Sequence, residues 1–254
     1  MGILNVTPDS FSDGGRFVAP DAALAHAQQM VDAGCDIIDV GAESTRPGAT
    51  PVSLSEELAR LEPALTLLAQ KLDAPFSVDT SKAAIAARAA ALGAAVINDV
   101  WGLQQDPAMA EVVTEAGTAV VITHNRTSID KSIDIIDDIR RFFERSFAIG
   151  QRAGIPYRHL ILDPGIGFAK SSRQNRDVIA RLGELKDYGL PILVGASRKR
   201  FLGTLTGDGI EGTPIGTLTV SLMAIAAGAD IVRVHDVATH AAAVKVREAL
   251  RGKD

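Results

Sequence analysis

Eight short apolar runs in this 254-residue sequence end on residues able to do chemistry. In chain order these are Asn5, Asp39, Asp79, Asn98 with Asp99, His124 with Asn125, Asp163, Ser197-Arg198-Lys199, and Arg233 with His235. The set holds carboxylates, amides and cations but no cysteine, and no G-x-S-x-G turn occurs, which speaks against nucleophilic acyl transfer. Neither H-E-x-x-H nor a Cys/His cluster is present to hold zinc. A phosphate-binding Walker sequence and a complete G-x-G-x-x-G are also absent; "GIGFAK" (165–170) comes nearest. What the set does suit is recognition. A carboxylate can accept two hydrogen bonds from the N–H edge of a flat heterocycle, and an asparagine can match a mixed donor and acceptor edge. Asp163, Asp79 and Asn98 could make such a slot. Arg46, Lys199 and Arg233 with His235 follow three different strands and point to a phosphorylated ligand. The plainer reading stays open at this stage: the cations could merely neutralise the aspartates, and the carboxylates could merely hold the loops that follow them.

These residues need a frame that brings strand ends together. The runs 2–6, 36–40, 76–79, 95–99, 119–123, 160–163, 192–196 and 231–235 are short and rich in β-branched residues. Between them lie stretches with helical spacing of apolar residues, near 20–33, 53–71, 81–92, 106–116, 133–153, 172–186 and 213–227, with a last one at 237–251. Leu58, Leu61, Leu65 and Leu68 illustrate the spacing. Strands that are apolar on both faces and always separated by a helix predict a parallel sheet. Eight βα units in this length match a closed (β/α)8 TIM barrel, whose strand ends meet at one C-terminal rim. A doubly wound open sheet is the alternative. On the barrel, the cations of strands seven and eight fall where such folds commonly bind phosphate.

Composition narrows the function classes. With 46% hydrophobic and only 4% aromatic residues, the core must be aliphatic and Ala-rich. No linker or charge block divides residues 1–254, so one domain is expected. A net charge of −5 argues against a general nucleic-acid binder, which needs a basic face. No run approaches a membrane span and no leader precedes "MGILNV", so a cytoplasmic protein is expected. Cys35 is the only cysteine; at the head of an apolar strand it is expected to be a buried thiol, with no internal disulfide possible.

Seven segments in order, "MGILNVTPDSFSDGG" (1–15), "DVGAESTRPGA" (39–49), "SVDTSKA" (77–83), "INDVWG" (97–102), "LDPGIGFAK" (162–170), "GASRKRFLG" (195–203) and "RVHDV" (233–237), resemble the motif series of the dihydropteroate synthases. The resemblance runs from the first residue to the last helix. It implies a pterin-binding barrel that joins 6-hydroxymethyl-7,8-dihydropterin diphosphate to p-aminobenzoate with the help of Mg2+, and that usually forms a homodimer. By this resemblance Asp79, Asn98, Asp163 and Lys199 hold the pterin, with Asp163 on its 2-amino/N3 edge. Arg233 and His235 take the diphosphate, and Asn5 faces Mg2+. Thr45, Arg46 and Pro47, on a loop taken to be mobile, enclose p-aminobenzoate together with Phe168, while Phe11 and Asp13 belong to a first loop that closes over the site. Asp13, Lys199, Arg233 and His235 are the implied catalytic set.

Some residues depart from the pattern. The sequence starts within the first strand, which is expected to leave the barrel bottom more open. Thr123 stands where the family often has Met, next to the pterin floor, and Ala42 replaces a common Gly. A methyltetrahydrofolate-type methyltransferase would share the pterin slot but has no use for "STRPG" or "SRK". A non-catalytic pterin-binding paralogue is the rival of another class.

Overall fold

A computed structural model describes residues 1–6, 15–43, 52–206 and 214–252. Six parallel strands follow one another in chain order: β1 (Gly2–Asn5), β2 (Ile38–Gly41), β3 (Phe76–Asp79), β4 (Val96–Asp99), β5 (Ala119–Thr123) and β6 (Leu160–Asp163). Two shorter strands, β7 (Leu193–Val194) and β8 (Ile231–Val232), pair with each other. Single parallel bridges complete the ring, Leu162 with Ile192 between β6 and β7, and Gly2 with Val234 between β8 and β1. The backbone bonds Leu162 N to Pro191 O at 2.9 Å and Ile3 N to Val234 O at 2.9 Å carry the closure. The expected (β/α)8 barrel is therefore the observed fold.

Helices α1 (Gly15–Asp32), α2 (Leu54–Lys71), α3 (Ala83–Ala91), α4 (Met109–Ala116), α5 (Ile135–Ala153), α6 (Ser172–Ala180), α7 (Arg200–Thr206), α8 (Pro214–Ala226) and α9 (Val237–Leu250) link and cover the strands. Local chemistry sets several of their ends. Ser53 caps α2 by accepting from Glu56 N, Asp134 caps α5 by accepting from Ile136 N and Asp137 N, and Ser171 with Gln174 forms a reciprocal capping box on α6. The single helix expected over 172–186 is two pieces, because after α6 the chain tightens into a 3₁₀ turn (Leu182–Tyr188). Three-residue periodicity there buries Leu182 and Leu185 on one side. Helix α7, which the periodicity did not reveal, is too short to carry a readable pattern.

Strand alternation divides the buried side chains in two. Outward residues such as Leu4, Ile38, Val78, Ile97, Ile122 and Leu162 pack against the helices, where Leu61, Leu65 and Leu68 of α2 meet them. Each such side chain contributes about 1.5–3 kcal/mol on burial. Inward residues Met1, Val96, Val121 and Leu193 form a separate small cluster at the barrel bottom, ringed by the partly exposed Ile37, Ala119, Ile161 and Ile231. Above this plug the inward positions turn polar: Asp39, Ser77, Asp79, Asn98, Thr123 and Asp163 are all buried. Thr123 pairs with Asp163 across β5 and β6. Cys35 is buried as expected and donates to Ile37 O. Among the described residues no helix is long and apolar enough to cross a membrane.

Candidate active site

Placing charges inside a barrel costs free energy unless they are paired. Here the pairing converges on Arg233, just beyond β8. Its Nε donates to Asp39 Oδ2 at 2.5 Å and its Nη2 to Asp79 Oδ2 at 2.8 Å. Asp39 also accepts from Ser77 Oγ and from Asn98 Nδ2, the latter at 3.1 Å. The register of Asp39 with Ser77 sets the first of these meetings, and that of Asp79 with Asn98 places the amide on the neighbouring strand. Burial disfavours the Arg233 cation, but Asp39 and Asp79 outweigh it and hold the group above its ordinary range.

Asp79 is the less settled carboxylate. Burial pushes its pKa up to about 7, against the pull of Arg233, and its Oδ1 is buried with no hydrogen-bond partner. A buried orphan acceptor beside a cation is a place for a ligand donor. Across β2 from it lies Asn5: a methyl group set on Gly41 would stand 3.9 Å from Asn5 Oδ1 and 4.0 Å from Asp79 Oδ2. Gly195 marks a second gap, where a methyl group would lie 3.9 Å from both Asp163 Oδ2 and Arg233 Cδ.

Asp163 ends β6 and is held by its loop, with Oδ1 accepting from Gly165 N at 2.7 Å. Burial raises its pKa, opposed by Lys199. Lys199 reaches the same loop from the far side, donating to Ile166 O and lying 4.5 Å from the centroid of the Phe168 ring. Burial lowers its pKa to about 8. The turn that aims it includes Arg198 at φ 56°, a left-handed conformation unusual for a side-chain-bearing residue. His235 is tied to Ser197, whose Oγ lies 2.9 Å from Nδ1 and accepts the His235 N–H at 3.2 Å.

The structure thus gathers Asp79, Asn98 and Arg233 on one side and Asp163, Lys199 and Phe168 on the other, with His235 beside Ser197 and Asn5 opposite Asp79. Phe11, Asp13, Thr45, Arg46 and Pro47 lie outside the described residues. Asp99, counted at first with the rim groups, faces away from the barrel interior and holds its own loop through Trp101 N and Leu103 N.

Three features of the site escaped the reading of the sequence. Asp39, counted with the rim groups but given no role, proves to be a hub; its signal was a carboxylate in mid-strand facing Ser77 in the next. Lys82 bonds Glu57 Oε2 at 2.5 Å, Glu43 Oε2 at 2.6 Å and Val52 O at 2.9 Å, so it ties together the residues on either side of positions 44–51. The third is Lys170, buried under the Asp163 loop.

A slot of buried carboxylates and an amide, floored by an arginine and edged by a lysine and a histidine, can read a polar heterocycle and receive an anion. Among the described residues no group of three or more His, Cys, Asp or Glu side chains gathers to hold a metal.

Residues 1–235 match the family described as pterin binding enzyme. The dihydropteroate synthase of Bacillus subtilis is 44% identical over 253 residues, spanning 100% of this chain and 88% of that relative. A crystal structure of the dihydropteroate synthase of Clostridium difficile, obtained in the presence of pteroic acid, superposes with a TM-score of 0.94 at 46% identity, covering 98% and 95% of the two chains. That of Xanthomonas albilineans with 4-aminobenzoic acid gives 0.92 at 40% identity, covering 99% and 92%.

Proposed function

The chain belongs to the pterin-binding enzyme family, and from that premise we propose how its own residues perform a dihydropteroate synthase reaction. The chain is a transferase that condenses 6-hydroxymethyl-7,8-dihydropterin diphosphate with p-aminobenzoate and releases pyrophosphate. The observation that carries the residue assignment is the polar barrel mouth itself. Asp79 offers a buried orphan oxygen with Asn98 beside it, Asp163 stands on the other side, and Lys199 and Arg233 supply positive charge.

In this reading Asp163 accepts from the 2-amino/N3 edge of the pterin, Asp79 and Asn98 take its remaining polar edge, and Lys199 lies on the O4/N5 side. Breaking the methylene–oxygen bond leaves positive charge that the electron-rich dihydropterin delocalises, so no protein nucleophile is required. The protein's task is to stabilise departing pyrophosphate, through Arg233 and His235, and to keep water from the cation. Phe168 over Lys199 provides an apolar wall for the incoming aryl amine. Thr45, Arg46, Pro47 and Phe11 are assigned to the same pocket and Asp13 to the closing of the site over the diphosphate, all on the motif resemblance.

Mg2+ binds through few protein oxygens, substrate phosphates and water. The amide oxygen of Asn5, facing Asp79 across Gly41, suits a magnesium ion brought in on the diphosphate rather than one caged by the protein. When bound, it would neutralise the leaving group's charge.

A homodimer is proposed from the exposed Ile215 and Met223 of α8 and Val246 and Leu250 of α9, an apolar face that a second copy would cover. The cytoplasm is proposed as its location. Measuring pyrophosphate release with and without p-aminobenzoate tests the central assignment. Release that requires p-aminobenzoate supports it; pterin binding without any release would mark a non-catalytic relative instead.

A further inference from the structure

Lys170 closes the segment "DPGIGFAK" and has no part in the reaction above, yet it is among the most buried cations of the chain, at 5% exposure. Its ammonium group turns back beneath the loop. It donates to Gly165 O at 2.7 Å and to His124 Nδ1 at 2.7 Å, and lies 3.4 Å from both His124 O and Phe168 O. On the other side of the imidazole, Nε2 is 3.1 Å from Asp138 Oδ2, on the first turn of α5. Arg126 approaches the same carboxylate at 3.5 Å and Arg141 its other oxygen at 3.8 Å. Asp138 is held below its ordinary range by its bond to His124 and, as a carboxylate, can only accept, so the ring proton sits on Nε2 and Nδ1 accepts from Lys170, whose own pKa burial draws well down. Burial, with Lys170 next to it, lowers the His124 pKa to about 4, which agrees with a neutral ring.

The loop above is a tight turn, closed by Phe168 N donating to Gly165 O at 3.1 Å. Gly165 and Gly167 have φ of 68° and 82°, and Ala169 has φ of 40°. Gly165 presses so closely on the end of β5 that a Cβ would fall 1.8 Å from His124 O. That same Gly165 gives its N–H to Asp163 Oδ1 at 2.7 Å, and the next carbonyl, Ile166 O, receives Lys199. Gly167 N is held from α6 by Asn175 Oδ1 at 2.7 Å. Fixing Gly165 O from below therefore fixes the residue that aims the Asp163 carboxylate above.

We propose that Asp138, His124 and Lys170 form a positioning chain that sets the orientation of Asp163 and Lys199 toward the pterin by clamping Gly165. The inference rests on the assignment of Asp163 to the pterin edge. Lys170 is a positioning residue, since it acts on the ligand only through the loop.

Four variants distinguish the possibilities, each assayed by calorimetric titration with 6-hydroxymethylpterin and by thermal unfolding. Lys170→Met keeps volume but leaves His124 Nδ1 unpaired and Gly165 O with only the Phe168 N–H. Asp138→Asn, at a half-buried helix position, keeps shape but can donate to Nε2. It would then move the ring proton to Nδ1, donor against donor with Lys170. Asp163→Asn serves as the reference. Pterin affinity is expected to fall about tenfold or more in Lys170→Met and several-fold in Asp138→Asn, at temperatures where both remain folded. Lys170→Arg, which keeps donors to both acceptors, is expected to recover part of the loss. If Asp163→Asn weakens binding while both Lys170→Met and Asp138→Asn bind as the parent does, the positioning chain is refuted and the pterin assignment stands. If Asp163→Asn also binds normally, the assignment and the inference fall together. Should Lys170→Met fail to fold, Asp138→Asn alone decides, through retained or weakened affinity in a folded protein.

Discussion

Replacing Asp79 by Asn is expected to separate stability from function. The folded-state pKa of Asp79 stands at about 7, raised by burial from the ordinary 3.8. The folded protein thus holds a proton on this group more tightly than the unfolded chain does between these values. Stability from this source is full below about pH 4 and declines as pH rises towards 7, after which it is level. With one pKa unit equal to about 1.4 kcal/mol, the group lowers stability by roughly 2 kcal/mol at pH 5 and roughly 4 kcal/mol at pH 8. Asp79→Asn has no charge to lose. Its amide oxygen can still accept from Arg233 Nη2, and Asp39 still pairs with that guanidinium. Urea unfolding at pH 5 and pH 8 should therefore show the variant gaining about 2–3 kcal/mol relative to the parent across that interval. Over the same range pyrophosphate release should fall at least tenfold, because the oxygen offered to the pterin has become an amide donor. Equal pH dependence in parent and variant would refute the argument that burial, rather than Arg233, controls this carboxylate.

Lys82→Met should destabilise by about 3–5 kcal/mol, since it strips the cation from Glu57, which is 1% exposed and would keep only Thr80. Thermal unfolding checks it, and an unchanged midpoint would show that the fold does not depend on the Lys82–Glu57 pair. p-Aminobenzoate is expected to bind about a hundredfold more tightly to enzyme holding a pterin, Mg2+ and pyrophosphate than to enzyme alone, as for a pocket assembled about 1% of the time in the free protein. Equal affinities in the two titrations would show a preformed pocket. Sulfonamides, which mimic p-aminobenzoate, should inhibit competitively against it, and inhibition that p-aminobenzoate cannot relieve would place the aryl-amine pocket elsewhere.

Much of this protein is decided by the order of its residues. Short apolar runs alternating with longer amphipathic stretches specify eight βα units, because a strand buried on both faces and a helix buried on one stripe leave different patterns. Parallel strands then oblige Asp79, Asn98, Asp163 and Arg233 to share one rim, and those residues are legible before any coordinates exist. Short elements are where the reading thins. Helix α7 has seven residues and β7 and β8 two each, too few for a period to emerge, and barrel closure rests on single bridges at Ile192 and Val234. Roles inside the barrel depend on register and on side-chain reach. Asp39 becomes the partner of Arg233, 194 residues away, only when β8 has come round to meet β1. Lys170 looks like a loop cation in the sequence and is buried in the fold, because the left-handed turn at Gly165 brings its side chain back onto His124. No local pattern encodes that contact; it arises from the packing of β5, β6 and α5 against one another.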